Sequence, residues 1–104
     1  MIRATQFGSG NQDSVVIDDT GTSVVYPGDP TDSVKWLLIV ADLSNSDVCY
    51  IHLHPTENAV WDKGIPLYPG GYIELSEYMG LYNGVIRGIA ATGKTAKLHW
   101  HDGR

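Results

Sequence analysis

Along the chain, apolar positions alternate with polar ones or fill short blocks, and they almost never recur at helical spacing. The stretch 14–26, "SVVIDDTGTSVVY", is two β-branched runs around Asp18, Asp19, Thr20 and Gly21, which predicts a hairpin. "VKWLLIVADL" (34–43) is apolar on both faces in its middle, as expected of a central strand covered on both sides. "SNSD" then turns the chain into "VCYIHLH" (48–54). An irregular segment rich in Gly, Pro and aromatics (55–71) leads to a short strand, "YIELS". The chain finishes with "GVIRGIAAT", a tight hairpin turn at Gly93 and Lys94, and "AKLHWH". "SEYMGLYNG" (76–84) has room for one helical turn, and its two glycines oppose a longer helix.

This grammar predicts an all-β fold: a single β-sandwich, jelly-roll or immunoglobulin-like, of about eight short antiparallel strands. The domain spans residues 14–104. Residues 1–13 form either an ordinary first strand or an arm that pairs with a neighbouring chain's sheet edge, hinged at Gly8–Asn11.

Composition narrows the functional classes. With 104 residues the chain has room for one modest core, and 42% hydrophobic against 18% charged residues marks a globular domain. No apolar run reaches the roughly 20 residues of a membrane span, and the N-terminus lacks the apolar centre of a secretory signal. These features predict neither a membrane partner nor export by that route. A net charge of −5 argues against non-specific nucleic-acid binding. The charge is uneven: residues 1–62 hold nine acids against two bases, and residues 63–104 hold three against five. Such a split would favour contacts between copies if the unlike halves met, or it is incidental surface variation. The single cysteine, Cys49, lies in an apolar strand and reads as a buried, inert thiol.

Gly88–Thr95, "GIAATGKT", matches the phosphate-loop pattern letter for letter. That loop works by leading from a strand into a helix whose first N–H groups face the phosphates. The nine residues after Thr95 alternate Ala96, Leu98, Trp100 with Lys97, His99, His101, a strand period. Gly93 reads as a turn glycine and Gly88 as a strand glycine at a bulge or close contact.

All four histidines fall in two H-x-H pairs, His52/His54 and His99/His101, each pair on the outward face of a strand. Neighbouring imidazoles suit a transition metal. One reading leaves the pairs as surface or interface histidines without a ligand. A second joins His52, His54 and Glu57 in a site resembling the cupins, with "PGG" (69–71) echoing that family's second motif. Glu57 follows too closely there, Pro55 is expected to end the strand before Glu57 turns back, and Tyr72, Ile73 and Glu74 stand where the family has its third histidine. A third puts one pair from each of three chains around a metal on a symmetry axis, as in the H-x-H tips of phage spikes, with His99 and His101 in that role. Trp61, Tyr68, Tyr72, Tyr78 and Tyr82 crowd a loop-rich segment, as interface candidates for protein or glycan or as caps on a small core. No nucleophile–base pairing is in register, so no catalytic residues and no cofactor are expected.

From Lys35 onward the order of features resembles small structural proteins of tailed bacteriophages. The resemblance rests on "LLIVADLSNSDV", "CYIHL", the phrase "GIPLYPGGYIEL", similar to their G-I-P-L-x-P-G-G-x-x-E, and the closing "LYNGVIRGIAATGKTAKLHWHDG". Residues 1–34 have no counterpart in it. It implies a non-enzymatic virion protein, a head-decoration or cement protein or a small head or tail accessory, assembled in the host cytoplasm. Such a protein is a small β-sandwich, favoured as a homotrimer, whose partner is the major capsid protein or another virion protein. The competing expectations are a cupin-like metal-binding protein and a glycan-binding adhesion module.

Overall fold

The computed structural model describes residues 10–29, 31, 34–76, 82 and 84–104, and among them the regular structure is entirely strand. The strands are β1 (Gln12–Ile17), β2 (Ser23–Tyr26), β3 (Trp36–Ala41), β4 (Cys49–Leu53), β5 (Ile65–Leu67), β6 (Tyr72–Ser76), β7 (Ile86–Ile89) and β8 (Ala96–Gly103). They form two four-stranded antiparallel sheets, ordered β1-β8-β3-β6 (sheet A) and β2-β7-β4-β5 (sheet B). Strand pairs nest about the β4–β5 link: β4 with β5, β3 with β6, β2 with β7 and β1 with β8. One long antiparallel ribbon rolled over on itself gives that order, which is the jelly-roll arrangement and not the immunoglobulin one.

Two local expectations change accordingly. The predicted hairpin over 14–26 is instead a crossing between sheets, since β1 pairs with β8 and β2 with β7. The turn at Gly93 and Lys94 likewise joins β7 of sheet B to β8 of sheet A. The turn is shifted by one residue from the expected pair, with Thr92 and Gly93 in its middle, Gly93 at φ 75° and the Lys94 amide donating to Ala91 O at 2.9 Å. Turn chemistry specifies a reversal but not which neighbour the next strand takes. Because β8 follows Thr95 directly, the phosphate-loop pattern has no helix to open.

The core lies between the sheets. Ile17, Leu37, Ile39, Ala41 and Leu98 from sheet A meet Val25, Tyr26, Cys49, Ile51, Leu67 and Ile86 from sheet B. Gly88 faces this core, where a Cβ would stand 2.9 Å from Ile17 Cδ1 and from Val25 Cγ2. Cys49 is fully buried, and burial pushes its thiol pKa up to about 11, which fits an inert thiol. β3 departs from expectation: Leu38 and Val40, on its outer face, are only half-buried. At the N-terminus, β1 begins at Gln12, two residues before the boundary placed at 14. The remainder of the arm, residues 1–9, and most of the one-turn segment, residues 77–81 and 83, lie outside the described residues.

One end of the sandwich encloses charge. Asp102 is fully buried and accepts from the Tyr26 hydroxyl at 3.0 Å, the Asn11 amide at 2.8 Å and Arg104 at 3.2 Å. Arg104 also binds Asp29, itself 7% exposed, at 2.8 Å. Strict alternation would point Tyr26 outward, since Val25 already faces in. A register shift between Val24 and Tyr26 turns both into the core. Burial, then the Asp102 carboxylate, holds the Tyr26 phenol far above its ordinary pKa. Tyr26→Phe is expected to lower stability by about 1–2 kcal/mol, the loss of one bond to a charged acceptor. Asp102→Ala, which strands its partners, is expected to cost about 3 kcal/mol or more in denaturant unfolding.

Candidate functional site

The two histidine pairs occupy opposite faces of the sandwich. His52 lies on the outer face of β4 in sheet B and His54 just past its end, while His99 and His101 lie on the outer face of β8 in sheet A. The orientations read from alternation hold, with Cys49 and Ile51 facing in from β4 and Ala96 and Leu98 from β8.

Around β4, Glu57 does turn back. Strand β4 ends at Leu53, but the His54 ring accepts at Nδ1 from the Thr56 amide (3.2 Å) and the Glu57 amide (3.1 Å), folding 54–57 into a compact turn. That turn carries Glu57 Oε1 to 3.1 Å from His52 Nε2 and 3.7 Å from His54 Nε2. The imidazoles stack in parallel, 5.7 Å between centroids. The His52 contact, then the neighbouring His54 ring, hold the Glu57 carboxyl below its usual range. Next to this cluster is a cavity of about 530 Å³ lined by His52, Glu57, Asn58, Val60, Lys63 and Gly64.

The three residues of the cupin-like reading therefore meet, but their hydrogen bonding opposes metal ligation. With Nδ1 receiving two amide protons, the neutral His54 ring carries its own proton on Nε2, the atom facing Glu57. A ligand atom has to be unprotonated. Among the described residues, no group of three or more His, Cys, Asp and Glu is arranged to hold a metal.

On sheet A, His99 Nε2 lies 2.7 Å from Asp42 Oδ1, and the other Asp42 oxygen accepts from the Ser44 hydroxyl and from the Ser44 amide at 3.0 Å. The Ser44 hydroxyl first, then His99, hold the Asp42 carboxyl far below the usual carboxylate range. Asn45 adds a second tie, donating to Lys97 O and accepting from the Lys97 amide, both at 2.9 Å. The His101 ring packs edge-on to Trp36, whose indole N–H donates to Glu74 at 2.6 Å. His99, His101, Ser14, Gln12, Leu38 and Val40 help line a shallow groove of about 410 Å³. Of its histidines, His99 is bonded to Asp42 through Nε2 and the ring of His101 lies against Trp36.

The aromatic segment disperses in space. Trp61 packs edge-on against Tyr50, 4.9 Å between centroids, in a strap over the outer face of sheet B. The Ala59 amide fastens that strap to Gly21 O at 2.9 Å, and the Tyr50 hydroxyl donates to Asp62 at 3.0 Å. Tyr82 packs against the core and donates to Val85 O at 3.0 Å, and its burial raises the phenol pKa. Tyr78 lies outside the described residues. Tyr68 and Tyr72 stay open to solvent, 65% and 64% exposed, on either side of the β5–β6 turn. Leu43, 81% exposed, joins them from the β3–β4 loop and escaped the sequence reading. A leucine between Asp42 and Ser44 in a polar turn was the available signal.

Folding brings parts of the acidic and basic halves of the sequence together. The nested pairing interleaves the two halves in each sheet, and Asp47–Lys94 (3.5 Å), Asp42–His99 and Asp29–Arg104 join acids of the first half to bases of the second.

Two outcomes follow from these groups. Asp42 has a folded pKa below its unfolded value of about 3.9, so its bonds add stability above that pH and lose it as pH falls toward the folded value. Asp42→Asn is expected to flatten the acid limb of the melting-temperature profile between about pH 4 and pH 2. At the other cluster, one equivalent of zinc, or a chelator, is expected to leave the melting temperature unchanged. His54→Ala is expected to raise amide exchange at Thr56 and Glu57, while His54→Asn, whose side-chain oxygen can accept the same bonds, retains protection.

Compared with models of protein families, with curated proteins and with solved structures, the chain matches none.

Proposed function

We propose that the chain is a non-catalytic structural protein of a tailed-phage particle, which decorates or cements the shell through protein–protein contacts. The observation that carries this reading is the build of Gly64–Glu74, the most specific part of the phage resemblance. Every distinctive residue of the phrase has a geometric role. Gly64 sits at φ 94°, and a Cβ there would strike the Ile51 carbonyl. Pro66 lies on β5, the edge strand of sheet B, where no ladder partner is lost. Pro69 and Gly70 form the middle of a type II turn, with Gly70 at φ 79° and the Gly71 amide donating to Tyr68 O at 2.7 Å. Tyr72 and Glu74 then lie on the outer face of β6, the edge of sheet A.

The phrase thus links the open edges of both sheets and holds exposed tyrosines on a fixed turn, as suits a shape-recognising module. The reading includes the homotrimer and the virion location that the resemblance implies, with the major capsid protein as partner. The purified chain is expected to co-sediment in fixed ratio with mature heads of the phage that encodes it, and not to bind unassembled capsid subunits. A chain that stays in the supernatant in native salt would defeat the reading.

A further inference from the structure

The four turns β1–β2, β3–β4, β5–β6 and β7–β8 gather at one end of the sandwich and are bonded to one another. Ala90 and Gly93 amides donate to Asp18 O and Asp19 Oδ2, both at 2.8 Å. Lys94 meets Asp47, and Ala41 exchanges two bonds of 2.9 Å with Gly70 and Gly71. The end is therefore one cross-braced rim. Its crest is apolar: Leu43 packs beside Gly70, where a Cβ would stand 3.1 Å from Leu43 Cδ1, and Tyr68 and Tyr72 flank the turn. All three side chains are more than 60% exposed, although large apolar groups gain by burial. The same turns carry four carboxylates, Asp18, Asp19, Asp42 and Asp47, against the single ammonium of Lys94.

We propose that this rim is the docking surface, and that it seats in an apolar hollow flanked by Lys and Arg on the assembled shell protein. The inference rests on the virion reading above and specifies its contact. Charge complementarity selects the occupant: an acidic border favours a basic partner surface and disfavours an acidic one. The bracing holds Leu43, Tyr68 and Tyr72 in place before contact, which lowers the entropy lost on binding. The opposite end of the sandwich is closed by the Asp102 cluster.

The test is co-sedimentation with heads of the encoding phage that lack this chain, comparing wild type, Leu43→Ser, Tyr68→Ser, Asp47→Lys and Val24→Ser. Leu43, Tyr68 and Val24 are exposed, so their variants are expected to fold, and melting temperatures verify this. Val24 lies on the edge strand β2, at the opposite edge of sheet B from β5 and the crest, and serves as the control. Leu43→Ser and Tyr68→Ser are expected to weaken binding about tenfold or more, Asp47→Lys to weaken it with a shallower salt dependence, and Val24→Ser to bind as wild type. Wild-type binding that all three rim variants retain would overturn the rim assignment while leaving the virion reading standing. A wild type that does not bind heads removes both. Glycan-array binding abolished by Tyr68→Ser, with head binding intact, would assign the crest to sugars and overturn the inference.

Discussion

The buried carboxylate of Asp102 is the constraint around which the rest of this sandwich is arranged. Burying an unpaired carboxylate costs several kcal/mol, so its oxygens need partners on every side. They find them in Tyr26 from sheet B, the Asn11 amide just before β1, and Arg104 past the end of β8. Asp102 also donates its own amide to Asn11 O at 2.9 Å. One side chain thereby ties the start of the described chain, its last strand and the opposite sheet. Trp100 packs edge-on to the Tyr26 ring, 4.9 Å between centroids, and joins the polar cluster to the apolar core.

The other end of the sandwich is held differently. There the bonds are between neighbouring turns, and they leave side chains outside. Asp18 caps Thr20 and Ser23, Asp19 holds Gly93, and Asp42 holds Ser44 and His99. Each carboxylate stiffens a loop while remaining near solvent, so the rim keeps both its shape and its negative charge. One histidine of each pair shares in this structural work: His54 folds its turn through Nδ1, and His99 anchors the β3–β4 loop to β8 through Nε2.

Much of the strand content was legible because alternation is a local property. "CYIHL" and "AKLHW" show their inner and outer faces on sight, and Pro69-Gly70 announces its turn through the φ that only glycine adopts freely. Pairing was not legible. "DDTG" and "TGK" signal reversals, yet each passes the chain between sheets, because a strand chooses neighbours by the whole ribbon's roll. For the candidate sites, H-x-H fixed which face the imidazoles share. It could not reveal that Glu57 returns past Pro55 to reach them, or that Nδ1 of His54 is already engaged. The aromatic crowd misled for a related reason: Trp61, Tyr68, Tyr72 and Tyr82 are neighbours in sequence and belong to three different places in the fold.

The sequence by itself determined an all-β sandwich, a buried and inert Cys49, a phosphate-loop pattern without its helix, and a glycine–proline phrase built for a turn. These follow from side-chain periodicity and backbone sterics, which act over a few residues. Only the tertiary structure decided the jelly-roll order, the interleaving that sets acids of the first half beside bases of the second, and the rim that gathers Leu43 with Tyr68 and Tyr72. Tyr26 shows the difference most sharply. Alternation from Val25 points it to solvent, and the register shift between Val24 and Tyr26 turns it inward. The return is a hydrogen bond to a carboxylate 76 residues away, a partner no local pattern encodes.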